Sequence, residues 1–541
     1  MESGNAGELM ALALKAAGVT HLFALNGAHI WPVMVGAHQH GIRVVDFRHE
    51  QSSAFAAEAW SKLTRTCGVA AATAGPGVTN AISGLGAARG NDSPMLLIGG
   101  RAPAARWGMG SLQEMDHLAV VRSLVKRAVT LETADSAFDI TADLLGFALS
   151  ARTGPVFVDV PLDVFFSAAD LPEHRPEPHI DPGAAPDPEA VASVTNLLRM
   201  AERPAIVAGG GVWWAHGEEA LVAFGEAADL PVYLNGLARG ILPPSHRLYR
   251  SRSRRTGLGE ADLVIVAGAP LDFRLNFGQP PVFSEKAKLV YVDADDFRKH
   301  RPGAAALYGD IAGALTELAH QAGDLPRRSG WLERLADEDA AAREKDRPLA
   351  ESNSVPIHPA RLVAEVESFL DRDAVIVGDG GDFVSFAGRL IERDRPGLWL
   401  DAGPFGCLGA GAGAAAAAKL LHPDRQVLLL QGDGAFGFSG MEYEALVRQR
   451  IPVVTVVGNN GIWALEKHPM QTVYDELVAT DLTPGARYDK VVEALGGHGE
   501  CVDRPEQIRP ALERAFKSGL PACVNVLCDP DAEYPRSSIL I

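Results

Sequence analysis

Residues 426–461 read QVLLLQGDGAFGFSGMEYEALVRQRIPVVTVVGNNG. The apolar run QVLLLQ stops at Gly432-Asp433-Gly434, a helix comes next, and a second apolar run, IPVVTVV, stops at Asn459-Asn460. Strand, helix, strand is the unit of a parallel sheet, and short buried strands of this kind carry helices on both faces. Asp433 and Asn460 then leave the carboxyl ends of two strands, where open α/β sheets bind ligands.

The same alternation runs outward through the chain. In the first block the strands read as THLFALNG, IRVVDFR, GVAAAT, MLLIGG and PVFVDVP. In the middle they are PAIVAGGG, PVYLNG, DLVIVAGAP and LVYVDAD. In the last they are AVIVGDGG, LWLDA, QVLLLQGDG, IPVVTVVGNN and ACVNVLCD. Two Pro-rich polar stretches, 171–188 and 346–359, read as exposed linkers. They divide the 541 residues into units at 1–170, 189–345 and 357–541. The fold class is α/β, with three doubly wound parallel-sheet domains.

Composition narrows the function. A hydrophobic content of 47% is enough for several cores, and the net charge of −18 argues against a nucleic-acid platform. The five cysteines are scattered with no C-x-x-C pair, which fits a reducing compartment rather than a disulfide framework. No secretory signal and no long uninterrupted apolar stretch is read, so the expectation is a cytoplasmic protein without a membrane role. The run Ala414 to Ala418 reads as a tightly packed helix.

The chemistry of the opening stretch is specific. Magnesium takes hard oxygen ligands in octahedral geometry, often completed by phosphate. Asp433 supplies charge, Asn460 an amide oxygen, and the backbone carbonyl of Ile462 a third ligand. Gly432 and Gly434 let the backbone approach a diphosphate, and the adjoining helix, beginning near Ala435, offers free N–H groups.

Together these motifs resemble those of thiamine diphosphate enzymes. The resemblance covers essentially the whole chain, in the order pyrimidine-binding, middle and diphosphate-binding domain. It implies thiamine diphosphate and Mg2+ as cofactors. The loop Gly378-Asp379-Gly380-Gly381-Asp382 would lie beside the diphosphate, with Gly381 and Asp382 as cofactor-side residues. In such enzymes a carboxyl group stabilises the imino tautomer of the cofactor's aminopyrimidine, which then deprotonates the thiazolium ring. Glu50, in Arg48-His49-Glu50-Gln51, is similar to that segment in the acetolactate synthase type. Taken alone it reads first as an exposed residue in the first turn of a helix, and the metal motif in the same chain turns the reading towards function. In TAGPGVTNAISGLGAA, Gly75, Gly77 and Asn80 are further cofactor-side candidates. In GPFGCLGAGAG, Leu408 is the counterpart of the apolar wedge that bends the cofactor, and the Gly406 carbonyl accepts its amino group. The resemblance also implies a homodimer or homotetramer with active sites at the interface.

The order of domains fits acetolactate synthase, oxalyl-CoA decarboxylase and 2-hydroxyacyl-CoA lyase, and the residues lean towards the lyase. Gln113 and Glu114 place an amide beside a carboxylate, where oxalyl-CoA decarboxylases typically have Tyr-Glu. Residues 461–468, GIWALEKH, look like the bacterial lyases, with Glu466 near the reacting carbon. Arg254 and Arg274 suit the phosphates of a CoA nucleotide in the middle domain. The expected reaction is cleavage of a 2-hydroxyacyl-CoA thioester to formyl-CoA and a carbonyl compound, or its reverse. A decarboxylase or an acetolactate synthase-type transferase is the alternative.

Overall fold

The computed structural model describes residues 3–172, 174–297 and 299–534. Three six-stranded sheets lie along the chain, and every strand pair within them is parallel. Numbered by sequence within each sheet, the first and third share the strand order 2-1-3-4-6-5. The middle sheet has the order 3-2-1-4-5-6. The three-domain doubly wound architecture read from the sequence is the one observed. A short antiparallel pair, Ser3–Asn5 with Ala168–Asp170, ties the two ends of the first unit together.

The strands that sequence reading passes over are edge strands. Arg127–Thr130 is half-buried throughout, and His498–Val502 buries only its last residue. Tyr249–Arg250 and Ala305–Tyr308 are the two edges of the middle sheet. An edge strand needs no continuous apolar run, so periodicity does not mark it. Among the described residues of 171–187 none lies in a helix or strand. The second Pro-rich stretch is partly helical, because Ser329–Ala350 continues through Pro348. Ion pairs from Asp346 to Arg252 and Arg389 hold that last turn against the body.

The helix Glu50–Thr64 is buried along most of its length, although it carries Glu50, Glu58 and Lys62. It lies between the helices Pro76–Asn91 and Gly411–Leu421, and small residues allow both contacts. A methyl group on Gly84 would sit 2.3 Å from Ala54 Cβ, and one on Gly413 would sit 2.4 Å from the Ser52 carbonyl oxygen. Ala415 to Ala418 are fully buried on the same seam. Two of these buried charges pair with each other: Lys62 Nζ lies 2.7 Å from Glu58 and donates to the Asp401 carbonyl at 2.9 Å, while Asn91 and Ser93 also donate to Glu58. Among the described residues no helix is long and apolar enough to cross a membrane.

Gly84→Val places side-chain atoms where the neighbouring helix already stands. It should lower the unfolding midpoint, at a cost of about 1–3 kcal/mol or more. Gly330→Ala enters open space near the start of a helix. It should leave the midpoint unchanged or raise it by up to about 1 kcal/mol. Equal midpoints in a thermal melt of the two variants would contradict this account of the seam.

Candidate active site

The loops after the first, third and fourth strands of the C-terminal sheet meet at its topological switch point. Strand Val427–Gly432 lies between Val375–Asp379 and Val454–Asn459, with Gly432 opposite Gly458. Asp433 opens the helix Asp433–Ser439 and is 3% exposed. One of its oxygens accepts from Gly461 N at 2.8 Å and the other from Gly434 N at 2.9 Å. The two sequence motifs are therefore joined directly. Asn460 folds back so that its side-chain oxygen accepts from Ile462 N at 3.2 Å. The Trp463 ring packs over Gly434, and the Leu465 side chain over Gly381, so a side chain at either glycine would collide. Ala435 and Asp382 are buried nearby.

Burial pushes the Asp433 carboxyl up to about 6, against the pull of its backbone donors. No Lys or Arg pairs with it among the described residues. A buried carboxylate satisfied only by N–H groups and lacking a counter-charge is suited to a divalent cation. Among the described residues no group of three or more His, Cys, Asp or Glu could hold a metal. A cation here would rest on Asp433, the Asn460 amide and backbone carbonyls, which fits magnesium shared with a diphosphate.

The N-terminal sheet has the same order, and its strand-end loops gather a second polar cluster. Glu50 is 6% exposed, and Asn80 Nδ2 donates to its carboxylate at 3.1 Å. Gly77 passes so close that a methyl group there would lie 3.4 Å from the other Glu50 oxygen. Gly75 has φ +61°, in the left-handed region, and faces the backbone of Gln113, itself at φ +60°. Thr73 Oγ1 lies 3.5 Å from the Gln113 side-chain oxygen and 3.1 Å from His29 Nδ1. Sequence reading missed His29. Its signal is its place in the loop after strand His21–Ala24, the first at the switch point. Burial, and then the nearby His117, lower the His29 pKa, so the ring is neutral at pH 7.

The segment carrying Gly406 and Leu408 runs between the two domains. Gly406 takes φ +69°, and Gln51 Nε2 donates to the Leu408 carbonyl at 3.4 Å. Asp379 anchors the end of this segment, accepting from Gly409 N at 3.1 Å and Gly411 N at 2.8 Å. Glu114 closes its own loop by accepting from Gly108 N and Ser111 N, and Glu466 is exposed in the first turn of the helix Ala464–Tyr474.

Both arginines picked out in the middle domain face the same region. Arg274 is clamped on Asp272 through Nε at 3.1 Å and Nη2 at 2.7 Å. Arg254 donates to the Leu234 carbonyl at 3.3 Å. Burial, with a smaller contribution from the Arg239 and Arg274 charges, lowers its pKa. Elsewhere, a cavity of about 220 Å³ opens at the carboxyl edge of the middle sheet. Arg65, Arg152, Asp92, Asp181, Asp293 and Asp310 supply its charges. Arg65 is paired with Glu218, and Arg152 with Asp92 and Asp295.

Burial pushes Asp379 up to about 6. Its folded pKa exceeds its unfolded value, so its contribution is most favourable below pH ~4 and is lost as pH rises through about 6. Over that window the cost of ionisation is on the order of 3 kcal/mol. Asp379→Asn carries no such cost, so its unfolding midpoint should rise relative to wild type between pH 4.5 and 7, by roughly that free energy. A midpoint difference independent of pH would show that Asp379 is not the titrating group.

The chain matches three family models in order: Thiamine pyrophosphate enzyme, N-terminal TPP binding domain, over residues 4–120; central domain, over 191–318; and C-terminal TPP binding domain, over 379–526. It is 51% identical over 540 residues to the acetolactate synthase large subunit IlvG of Mycobacterium tuberculosis, covering 99% of this chain and 98% of that protein. It is 34% identical to 2-hydroxyacyl-CoA lyase 2 of Caenorhabditis elegans, covering 97% of this chain and 89% of that one. Identity to the Homo sapiens lyase of the same name is 33%, covering 97% and 90%. With two sheets of one topology presenting a hydrogen-bonded carboxylate cluster and a buried carboxylate without a counter-charge, and with all three domain models matched in sequence, the chain belongs to the thiamine pyrophosphate enzymes and takes thiamine diphosphate with Mg2+ as its cofactor.

Proposed function

We propose that the enzyme joins two 2-oxo acids, with loss of carbon dioxide from the first, as an acetolactate synthase does. The observation that carries this reading is the charge balance of the middle domain. Arg274 is already neutralised by Asp272, and the middle-domain cavity has four carboxylates against two paired guanidiniums. A CoA nucleotide would bring further negative charge to that cavity, and a phosphate could take Arg65 or Arg152 only by breaking an existing ion pair. A 2-oxo acid needs no such site. Full-length 51% identity to a protein described as an acetolactate synthase supports the same reading.

Thiamine diphosphate, when bound, supplies the carbon nucleophile and the electron sink. The chain's own groups bind and orient. Asp433, Asn460 and the Ile462 carbonyl would hold magnesium. The backbone at Gly381, Asp382, Gly432, Gly434 and Ala435 surrounds the diphosphate. Glu50, steadied by Asn80, holds a proton at the pyrimidine ring nitrogen. The Gly406 carbonyl would accept from the exocyclic amine, and Leu408 would pack against the cofactor as an apolar wedge. Neutral His29 and the Gln113 amide give hydrogen bonds to a substrate oxygen without adding charge. Met109, Leu112, Phe438 and Met441 are exposed on loops and a helix flanking these clusters. A second copy of the chain covers them, which makes the unit a dimer at least.

The second reading is cleavage of a 2-hydroxyacyl-CoA, with Arg254 and Arg274 as nucleotide contacts and Glu466 or Glu114 moving a proton. The relatives described as 2-hydroxyacyl-CoA lyase 2 favour it, at 33–34% identity. One experiment separates the two. With magnesium and thiamine diphosphate, pyruvate should give acetolactate and carbon dioxide. Formyl-CoA from a short 2-hydroxyacyl-CoA, with no acetolactate from pyruvate, would establish the second reading instead.

Glu50→Gln should slow exchange of the cofactor's thiazolium proton by about 100-fold or more. Calorimetric cofactor affinity should be nearly unchanged. Asp433→Ala should abolish saturable cofactor binding at millimolar magnesium while the circular dichroism of the fold persists. Normal exchange in the first variant, or normal affinity in the second, would remove that residue from its role.

A further inference from the structure

Behind the Glu50 cluster lies a second pair of polar residues, shielded from solvent, that meets the cofactor-side segment at the Gly75 backbone N–H. His117 is fully buried and Asp159 is 1% exposed. Gly75 N donates to His117 Nε2 at 2.9 Å, and His117 Nδ1 lies 3.4 Å from Asp159 Oδ2. The first bond fixes the tautomer. Because Nε2 accepts, the ring proton sits on Nδ1, which lies beside the Asp159 carboxylate without a hydrogen bond between them. Asp159 belongs to the strand Val156–Pro161, held between Met95–Arg101 and Arg127–Thr130. Arg101 approaches the same carboxylate at 3.8 Å while its guanidinium stacks on Trp107.

The backbone that this pair grips is unusual. Gly75 combines φ +61° with ψ −110° and caps the helix Pro76–Asn91 without a side-chain hydrogen bond. A methyl group on it would lie 2.9 Å from the Gln113 carbonyl oxygen and 3.0 Å from Gln113 Cβ. Two residues on, Gly77 borders Glu50. The Gly75 turn is thus the wall between Gln113 and Glu50, and its N–H is held by His117. His117 also shares a short loop with Gln113, opening the helix His117–Val121 behind the Asp116 cap.

We propose that His117 and Asp159 are positioning residues. Through the Gly75 N–H they set the separation and angle of Glu50 and Gln113 relative to the cofactor's pyrimidine. Asp159 orients the imidazole, the imidazole holds the turn, and the turn spaces the two functional groups. A displacement near 1 Å at such a site lowers rate by up to about 100-fold without removing any reacting group. The inference rests on the reading of Glu50 as the group that holds a proton at the pyrimidine.

The test uses the full-length protein with thiamine diphosphate and magnesium, and reads three quantities: the exchange rate of the thiazolium proton, the calorimetric cofactor Kd and the unfolding midpoint. His117→Phe keeps the ring and removes both polar contacts. It should slow exchange by roughly 10- to 100-fold, with Kd changed by less than about 3-fold. His117→Gln restores an acceptor for the Gly75 N–H and should recover exchange to within about 3-fold of wild type. Asp159→Asn keeps shape and hydrogen-bonding oxygen, so it should fold even if the Phe variant does not, and it should slow exchange about 3- to 10-fold. Wild-type exchange in Asp159→Asn, or a Gln variant no faster than a soluble Phe variant, would overturn the proposal. So would losses of exchange that track the midpoint across the set. Glu50→Gln is measured alongside. If it exchanges normally the reading of Glu50 fails, whereas if it is slow and the His117 and Asp159 variants are not, only the positioning role fails.

Discussion

The structure depends on how closely one charged helix can approach its neighbours. Glu50–Thr64 is pressed between a helix of its own domain and a helix of the diphosphate domain, and Gly84 and Gly413 leave room for it there. Lys62 and Glu58 neutralise each other, and the Asp401 carbonyl takes another Lys62 proton across the domain boundary. The contact therefore joins the two outer domains through backbone proximity and one buried polar network. It also fixes the direction in which the helix begins, and Glu50 is its first residue.

The geometry of the site is built out from that seam. Both outer sheets have the strand order 2-1-3-4-6-5, so each has a switch point between its first and third strands. In one sheet that point gathers His29, Thr73 and, alongside, Glu50 and Gln113. In the other it gathers Gly380, Gly381, Asp433 and Asn460. One topology used twice yields two unlike clusters, one hydrogen-bonding around Glu50, the other built on a buried carboxylate suited to a cation. Burial raises the Asp433 pKa, and the same burial strengthens its attraction to a divalent ion.

The middle domain shows why the type of residue in a motif does not settle its use. Arginines near strand ends invite a phosphate, and this chain has several there. Arg274 instead closes on a carboxylate two residues away, and Arg250 donates to the carbonyls of Arg247, Tyr249 and Leu332. Asp339 accepts from the backbone of Ser251, Arg252 and Ser253, which makes the arginine-rich segment part of the packing between the middle domain and the helix Ser329–Ala350. Charge counted along the sequence and charge available to a ligand are different quantities.

The three parallel-sheet domains, their order and the cofactor were legible in the residues before any coordinates. Central strands are buried on both faces, so they must be short apolar runs, and the glycines and hard oxygen ligands at their carboxyl ends are required by contact with a diphosphate and its metal. Edge strands such as Arg127–Thr130 and His498–Val502 escaped because one side of each faces no neighbouring strand and tolerates polar residues. His29, His117 and Asp159 escaped for another reason. They are far apart in sequence and become neighbours only when the loop after the first strand, the residues 73–75, the start of the helix His117–Val121 and the strand Val156–Pro161 are brought together. Which arginines are neutralised, and how Glu50 and Gln113 are spaced, emerged only from the folded chain, because pairing and separation depend on distances between segments that local sequence does not encode.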